Sequence, residues 1–148
     1  MKHEKYKLES DRLLSVFEFT SIGPNGSIKK IVQYTEGNLK DFYNLGFGDK
    51  DESTGEINDL IITNNGDSRK VLATVASTIY AFTDRHPDAW IYACGSSHAR
   101  TRLYRIGITN NLMEIRKDFE VFGLKNGKWY KFRENTDYRA FLIRRKKS

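Results

Sequence analysis

The sequence predicts an α+β fold in which two or three helices pack on one face of a mainly antiparallel sheet. Three observations predict it. Short runs rich in β-branched and aromatic residues lie on both sides of a central helical segment. Asn-Gly pairs at 25–26 and 126–127 suit the turns of hairpins. An apolar stripe with intervals of four, four and three residues runs through the helical segment, at Val71, Val75, Ile79 and Phe82.

The first half of the chain is predicted to consist of strands, at residues 14–22, 28–35, 42–48 and 57–63. The sequence Gly-Pro-Asn-Gly at 23–26 is a turn that joins the first two strands as a hairpin. Gly46 and Gly48 indicate a bend or bulge in the third strand. Residues 49–56 are interpreted as an acidic loop.

The second half mixes helices and strands. Asp67 or Ser68 caps a helix that ends near Arg85. Ser97 caps a second helix that runs to about residue 106, and residues 110–117 add another turn or two. Strands are expected at 89–94, 119–124, 128–132 and 138–144, with a basic tail at 145–147. The strand–helix–strand step in the middle allows one parallel pairing.

Charge is distributed unevenly along the 148 residues. Residues 1–74 hold 10 Lys and Arg against 12 Asp and Glu, whereas residues 75–148 hold 15 against 7, which accounts for the net charge of +6. A strongly basic half favours contact with an anionic partner. The four cations at 144–147 would attract phosphate by releasing counterions.

Composition also excludes several classes. No apolar run approaches the roughly 20 residues of a membrane span, and residues 1–11 are too charged for a signal peptide. Cys94 is the only cysteine, which excludes an internal disulfide and a cysteine-based zinc site. His3 and His86 have no partner at ligand spacing. We therefore expect a single cytoplasmic domain spanning 1–148, without metal, cofactor or membrane contact.

The turn before the second helix carries the strongest candidate site. Backbone N–H groups at a helix N-terminus attract anions, and guanidinium groups bind phosphate oxygens in pairs. The candidate phosphate-binding residues are Ser96, Ser97, Arg100, Arg102 and Arg105. The alternative is structural: Ser97 only caps the helix, and the arginines pair with nearby carboxylates.

The same segment offers candidate catalytic residues for metal-independent RNA cleavage. That chemistry needs a general base, a general acid and cations near the phosphate. His98 and Tyr104 are the candidates for proton transfer. The alternative for His98 is an ordinary surface residue. Cys94 is interpreted as a buried apolar side chain rather than as a nucleophile.

Aromatic and basic residues alternate near the C-terminus. Trp129, Tyr130, Phe132 and Tyr138 are interleaved with Lys128, Lys131, Arg133 and Arg139. Such alternation is typical of a surface on which nucleic-acid bases stack. It is also typical of a half-buried strand whose aromatic residues face the core, and we favour this second interpretation.

Three stretches resemble a family of small, uncharacterised bacterial proteins, a domain of unknown function. They are Gly95-Ser96-Ser97 followed by Arg100, Arg102, Leu103 and Tyr104; Asp118 to Val121 with Gly123-Leu124; and Tyr138 to Arg145. The resemblance spans most of the chain and implies no activity. In size and charge alone, the chain is also similar to the toxin components of toxin–antitoxin pairs.

These observations favour a small cytoplasmic protein that engages RNA or another polyanion, as a toxin-like component acting on RNA. The alternative is a non-catalytic module that docks an acidic protein, such as an antitoxin. A second copy of the chain, in a homodimer, is a further candidate partner. The two main hypotheses differ in where the candidate arginines point.

Overall fold

A computed structural model describes residues 4–58, 63–95 and 97–147. Three helices and one eight-stranded sheet form this part of the chain. The helices are α1 (Ser68–Arg85), α2 (His98–Asn110) and α3 (Leu112–Asp118). The strands are β1 (Glu9–Ser10), β2 (Val16–Gly23), β3 (Gly26–Glu36), β4 (Phe42–Asp49), β5 (Trp90–Ala93), β6 (Phe119–Lys125), β7 (Lys128–Lys131) and β8 (Ala140–Arg145).

The strand order is β1-β2-β3-β4-β5-β8-β6-β7. Every neighbouring pair is antiparallel except β4 and β5, which are parallel and joined through α1. The predicted α+β class is confirmed. The parallel pairing that the sequence allowed is present, but its first strand is β4 and not the strand expected directly before the helix. The expected strand at 57–63 falls mainly on residues 59–62, which lie outside the described residues. None of the helices in the described ranges is long and apolar enough to cross a membrane.

The two faces of the sheet differ. We call inner the face that carries Phe17, Val32, Phe47, Ile91 and Ile143, all of them buried. The helices pack on this face: the Phe82 ring of α1 stacks on the Tyr34 ring at 4.2 Å between centroids. α2 lies close to α1 because Gly107 leaves room for the Leu72 side chain. Side chains alternate along a strand, so the remaining residues form an outer face.

Gly46 and Gly48 do not mark a bulge, contrary to the expectation from sequence. β3 and β4 pair without interruption from Lys30–Asp49 to Glu36–Tyr43. A Cβ atom at Gly48 would lie 2.9 Å from a methyl carbon of Ile57. The two glycines therefore make room for Ile57, which covers this part of the outer face.

An ion pair is buried on the inner face. Lys30 is 1% exposed and pairs with Asp49, which is 8% exposed. Lys30 Nζ also donates to the Thr63 carbonyl at 2.9 Å, and the Thr63 N–H donates to the second Asp49 oxygen at 3.0 Å. Asp49 thus belongs to the core rather than to a solvated acidic loop. Each charge has the partners that make its burial tolerable.

Replacing Lys30 by Met should lower the free energy of unfolding by about 3–5 kcal/mol, because Asp49 would remain buried without a counter-charge. Urea denaturation of the purified variant measures this loss. The double variant Lys30→Met/Asp49→Leu should recover part of it, since no isolated charge remains. A loss below about 1 kcal/mol in the single variant, the size typical of an exposed pair, would contradict the role of the buried pair.

Candidate nucleic-acid interface

The turn between β5 and α2 is held by contacts within the chain. The Ser97 side chain accepts a hydrogen bond from the Arg100 N–H at 3.3 Å and so caps α2. The Gly95 N–H donates to the Thr101 hydroxyl at 3.1 Å. A Cβ atom at Gly95 would lie 2.4 Å from both the Arg100 Cβ and the Thr101 nitrogen. Gly95 is therefore needed for the close approach of the helix to the strand end.

The candidate site residues on α2 do not converge. Arg100 reaches towards β4 and donates to the Asn58 carbonyl at 2.8 Å. Arg105 donates to the Thr136 carbonyl at 3.4 Å. The Arg102 side chain is exposed and forms neither a hydrogen bond nor an ion pair with another described residue. Ser96 lies outside the described residues. Of the structural alternative, the Ser97 cap is present, but none of the three arginines pairs with a carboxylate of another described residue.

Tyr104 lies in the core instead of facing a substrate. It is 8% exposed. Burial raises the pKa of its hydroxyl to about 12, although the nearby Arg100 guanidinium lowers it. A group that is buried and protonated at neutral pH is not suited to act as a general base. Of the two candidates for proton transfer, only His98 is accessible.

His98 opens onto a groove at the end of the sheet, which we call the strand-end groove. It has a volume of about 740 Å³. The His98 side chain is 79% exposed, and its Nε2 lies 3.9 Å from an Asp137 carboxylate oxygen. Cys94 lines the groove as well and is exposed, so the expectation that it is buried is wrong. Within the described ranges, no cluster of three or more His, Cys, Asp or Glu side chains could hold a metal ion.

A second groove, of about 480 Å³, adjoins the first at the β6–β7 hairpin. The two grooves share Lys125, Asn126 and Tyr138 as lining residues. Five cations lie on or beside this hairpin, and we call them the hairpin cations: Lys125, Lys128, Lys131, Arg133 and Arg139. None of them forms an ion pair with another described residue.

The basic tail differs from the hairpin in this respect. Arg144 pairs with Glu120 at 3.1 Å, and Lys147 pairs with Asp88 at 2.8 Å. Arg145 pairs with Asp84 and donates to the Thr83 hydroxyl at 2.7 Å. These contacts tie the end of β8 to α1 and to its neighbours. The sequence predicts phosphate attraction in this tail, but three of its four cations are paired with carboxylates, whereas none of the hairpin cations pairs with another described residue.

The aromatic residues near the C-terminus divide into two groups. Phe132 and Tyr138 are buried, as the favoured interpretation expects. Trp129 and Tyr130 are 41% and 46% exposed, which that interpretation does not expect. β7 is the edge strand of the sheet that the described residues form. Alternation within the four-residue strand gave no signal of which aromatic residues would remain exposed.

The comparison with protein families gives a match over residues 2–146 to a family of unknown function (DUF6934). The chain belongs to this family. The match covers nearly the whole chain, in agreement with the resemblance seen in the sequence. No curated protein and no solved structure matches the chain.

Replacing Gly95 by Ala should destabilise the protein by about 1–3 kcal/mol, because the new methyl group overlaps the first turn of α2. Thermal unfolding followed by circular dichroism measures this effect. Cys94→Ala is the matched control, since the neighbouring side chain is exposed and its loss should change stability by less than about 0.5 kcal/mol. Equal stability of the two variants would show that the close approach is unimportant.

Proposed function

We propose that the protein binds RNA through the surface formed by the hairpin cations and the two adjoining grooves. The observation that carries the proposal is the group of five cations that form no ion pair with another described residue. Cations that are already paired gain little from a phosphate, whereas unpaired ones release counterions on binding a polyanion. The grooves supply a concave path along which a phosphate backbone would lie.

The charge of the N-terminal half also favours RNA binding at the C-terminal half. Its excess of acidic residues repels a polyanion, so the charge of the molecule orients the ligand towards the C-terminal half. A narrower form of the proposal makes the protein a bacterial, cytoplasmic, toxin-like component that acts on RNA. The size and charge of the chain support that form, and His98 in the strand-end groove is its remaining accessible proton-transfer group.

Binding of a fluorescein-labelled 12-nucleotide single-stranded RNA, measured by anisotropy at several salt concentrations, tests the proposal. The double variant Lys131→Gln/Arg133→Gln should bind more weakly and show a smaller salt dependence. The slope of log K against log salt should shrink by about 0.7 for each lost phosphate contact. Lys5→Gln/Lys7→Gln removes the same charge from the acidic half and should leave binding unchanged.

Equal effects of the two double variants would show that net charge alone attracts RNA. The absence of RNA binding at low salt would contradict the proposal. If polyglutamate then bound to the same surface, the alternative partner, an acidic protein, would be favoured instead.

The narrower form predicts cleavage of the bound RNA without added metal. His98→Asn should abolish cleavage and leave binding nearly unchanged, because His98 supplies a proton-transfer group and not one of the hairpin cations. Gel analysis of the incubated RNA measures this, and Asp137→Asn tests the carboxylate 3.9 Å away. Intact RNA after prolonged incubation would restrict the protein to binding.

A further inference from the structure

The outer face of the sheet carries a row of aromatic rings on its C-terminal strands. Strand register places Phe42 of β4, Trp90 and Tyr92 of β5, Phe122 of β6 and Trp129 of β7 on this face. The rings form two groups in contact: Phe42, Trp90 and Phe122, and Tyr92 with Trp129. Centroid distances are 6.1 Å for Phe42–Trp90, 6.2 Å for Trp90–Phe122 and 6.2 Å for Tyr92–Trp129.

These rings are partly exposed. The ring contacts of α1 are on the inner face, where it meets Tyr34, Tyr43 and Phe119. Phe42, Trp90, Tyr92 and Phe122 are half-buried, and Trp129 is the most exposed of the five. An aromatic sheet face of this kind offers flat apolar surfaces that other planar groups can stack on.

Cations border the row and indicate the chemistry of its occupant. The Arg144 guanidinium lies 4.2 Å from the centre of the Trp90 ring, where Glu120 holds it. Lys131 occupies the outer face beside Phe122. Tyr92 also lines the strand-end groove together with Lys125 and Arg139, so the rings lead directly to the hairpin cations. Planar stacking surfaces beside unpaired cations match a ligand with aromatic bases and a phosphate backbone.

We propose that the ligand is single-stranded RNA whose unpaired bases stack on the outer-face rings, beginning with Trp129, while its phosphates contact the hairpin cations. The inference rests on the proposed function and specifies the form of RNA that this surface binds. Base pairs of a duplex are already stacked on one another and are enclosed by the backbone, so a duplex presents no ring to this face.

The experiment compares three ligands of equal length with the unmodified protein: a 12-nucleotide oligouridine, its abasic analogue and a 12-base-pair RNA duplex. The abasic analogue carries the same phosphates but no bases. The oligouridine should bind at least about fivefold more tightly than the analogue, which is the lower limit for stacking of a single base. Its binding should quench tryptophan fluorescence, because both tryptophans lie on the outer face.

Two exposed aromatic residues on β7 provide matched variants. Trp129→Ala should reduce oligouridine binding about fivefold or more and leave binding of the abasic analogue unchanged. Tyr130→Ala removes a ring of similar exposure that lines the second groove but points away from the outer face, so it should leave the ratio of the two affinities unchanged. Trp90→Phe leaves Trp129 as the only tryptophan, and quenching should persist in that variant.

The outcomes separate this inference from the proposed function. Equal affinity for the three ligands, with binding still dependent on Lys131 and Arg133, would overturn the stacking inference and leave polyanion binding intact. Tighter binding of the duplex would overturn it too. Failure of all three ligands to bind at low salt would overturn both proposals.

Discussion

Packing of Phe82 against the centre of the sheet is the contact on which the rest of the structure depends. This ring is 1% exposed, stacks on Tyr34 and meets the Tyr43 ring edge-on at 4.9 Å. This contact holds α1 against β3 and β4. The chain then passes from α1 into β5, which runs parallel to β4. α2 then packs on α1 at Gly107. The helices consequently pack on one face, and Trp90, Tyr92, Phe122 and Trp129 lie on the other.

The distribution of charge pairs follows from the same arrangement. β8 runs between β5 and β6, so its last residues lie beside α1 and Glu120. Acidic partners are available there, and Arg144, Arg145 and Lys147 take them. The β6–β7 hairpin lies at the edge of the sheet, away from those acids. Of the basic residues in the second half of the sequence, three at or just after the end of β8 are therefore paired with carboxylates, whereas the hairpin cations form no ion pair with another described residue.

Two glycines show how backbone contact positions the candidate interface. Gly95 lets α2 begin directly against the end of β5, and this brings His98 to the strand-end groove. Gly123 lies under the Tyr138 ring, with an added Cβ only 2.4 Å from ring carbons. Tyr138 lines both grooves, so the packing of its ring against Gly123 shapes the surface between the two grooves. These requirements concern space rather than positive φ angles, because neither glycine adopts one.

The sequence by itself determined the fold class and nearly all helices and strands of the described residues; it allowed one parallel pairing but did not show that β4 is the strand that forms it. Periodicity and turn residues are local signals, and α1, at Ser68–Arg85, begins and ends where they place it. The site depended on tertiary structure. Helical spacing brings Arg100 and Tyr104 to one side of α2, but it does not reveal that one reaches a distant carbonyl and the other enters the core. Strand order likewise decides which cations pair with carboxylates and which rings stay exposed, because the residues that become neighbours are far apart in the chain.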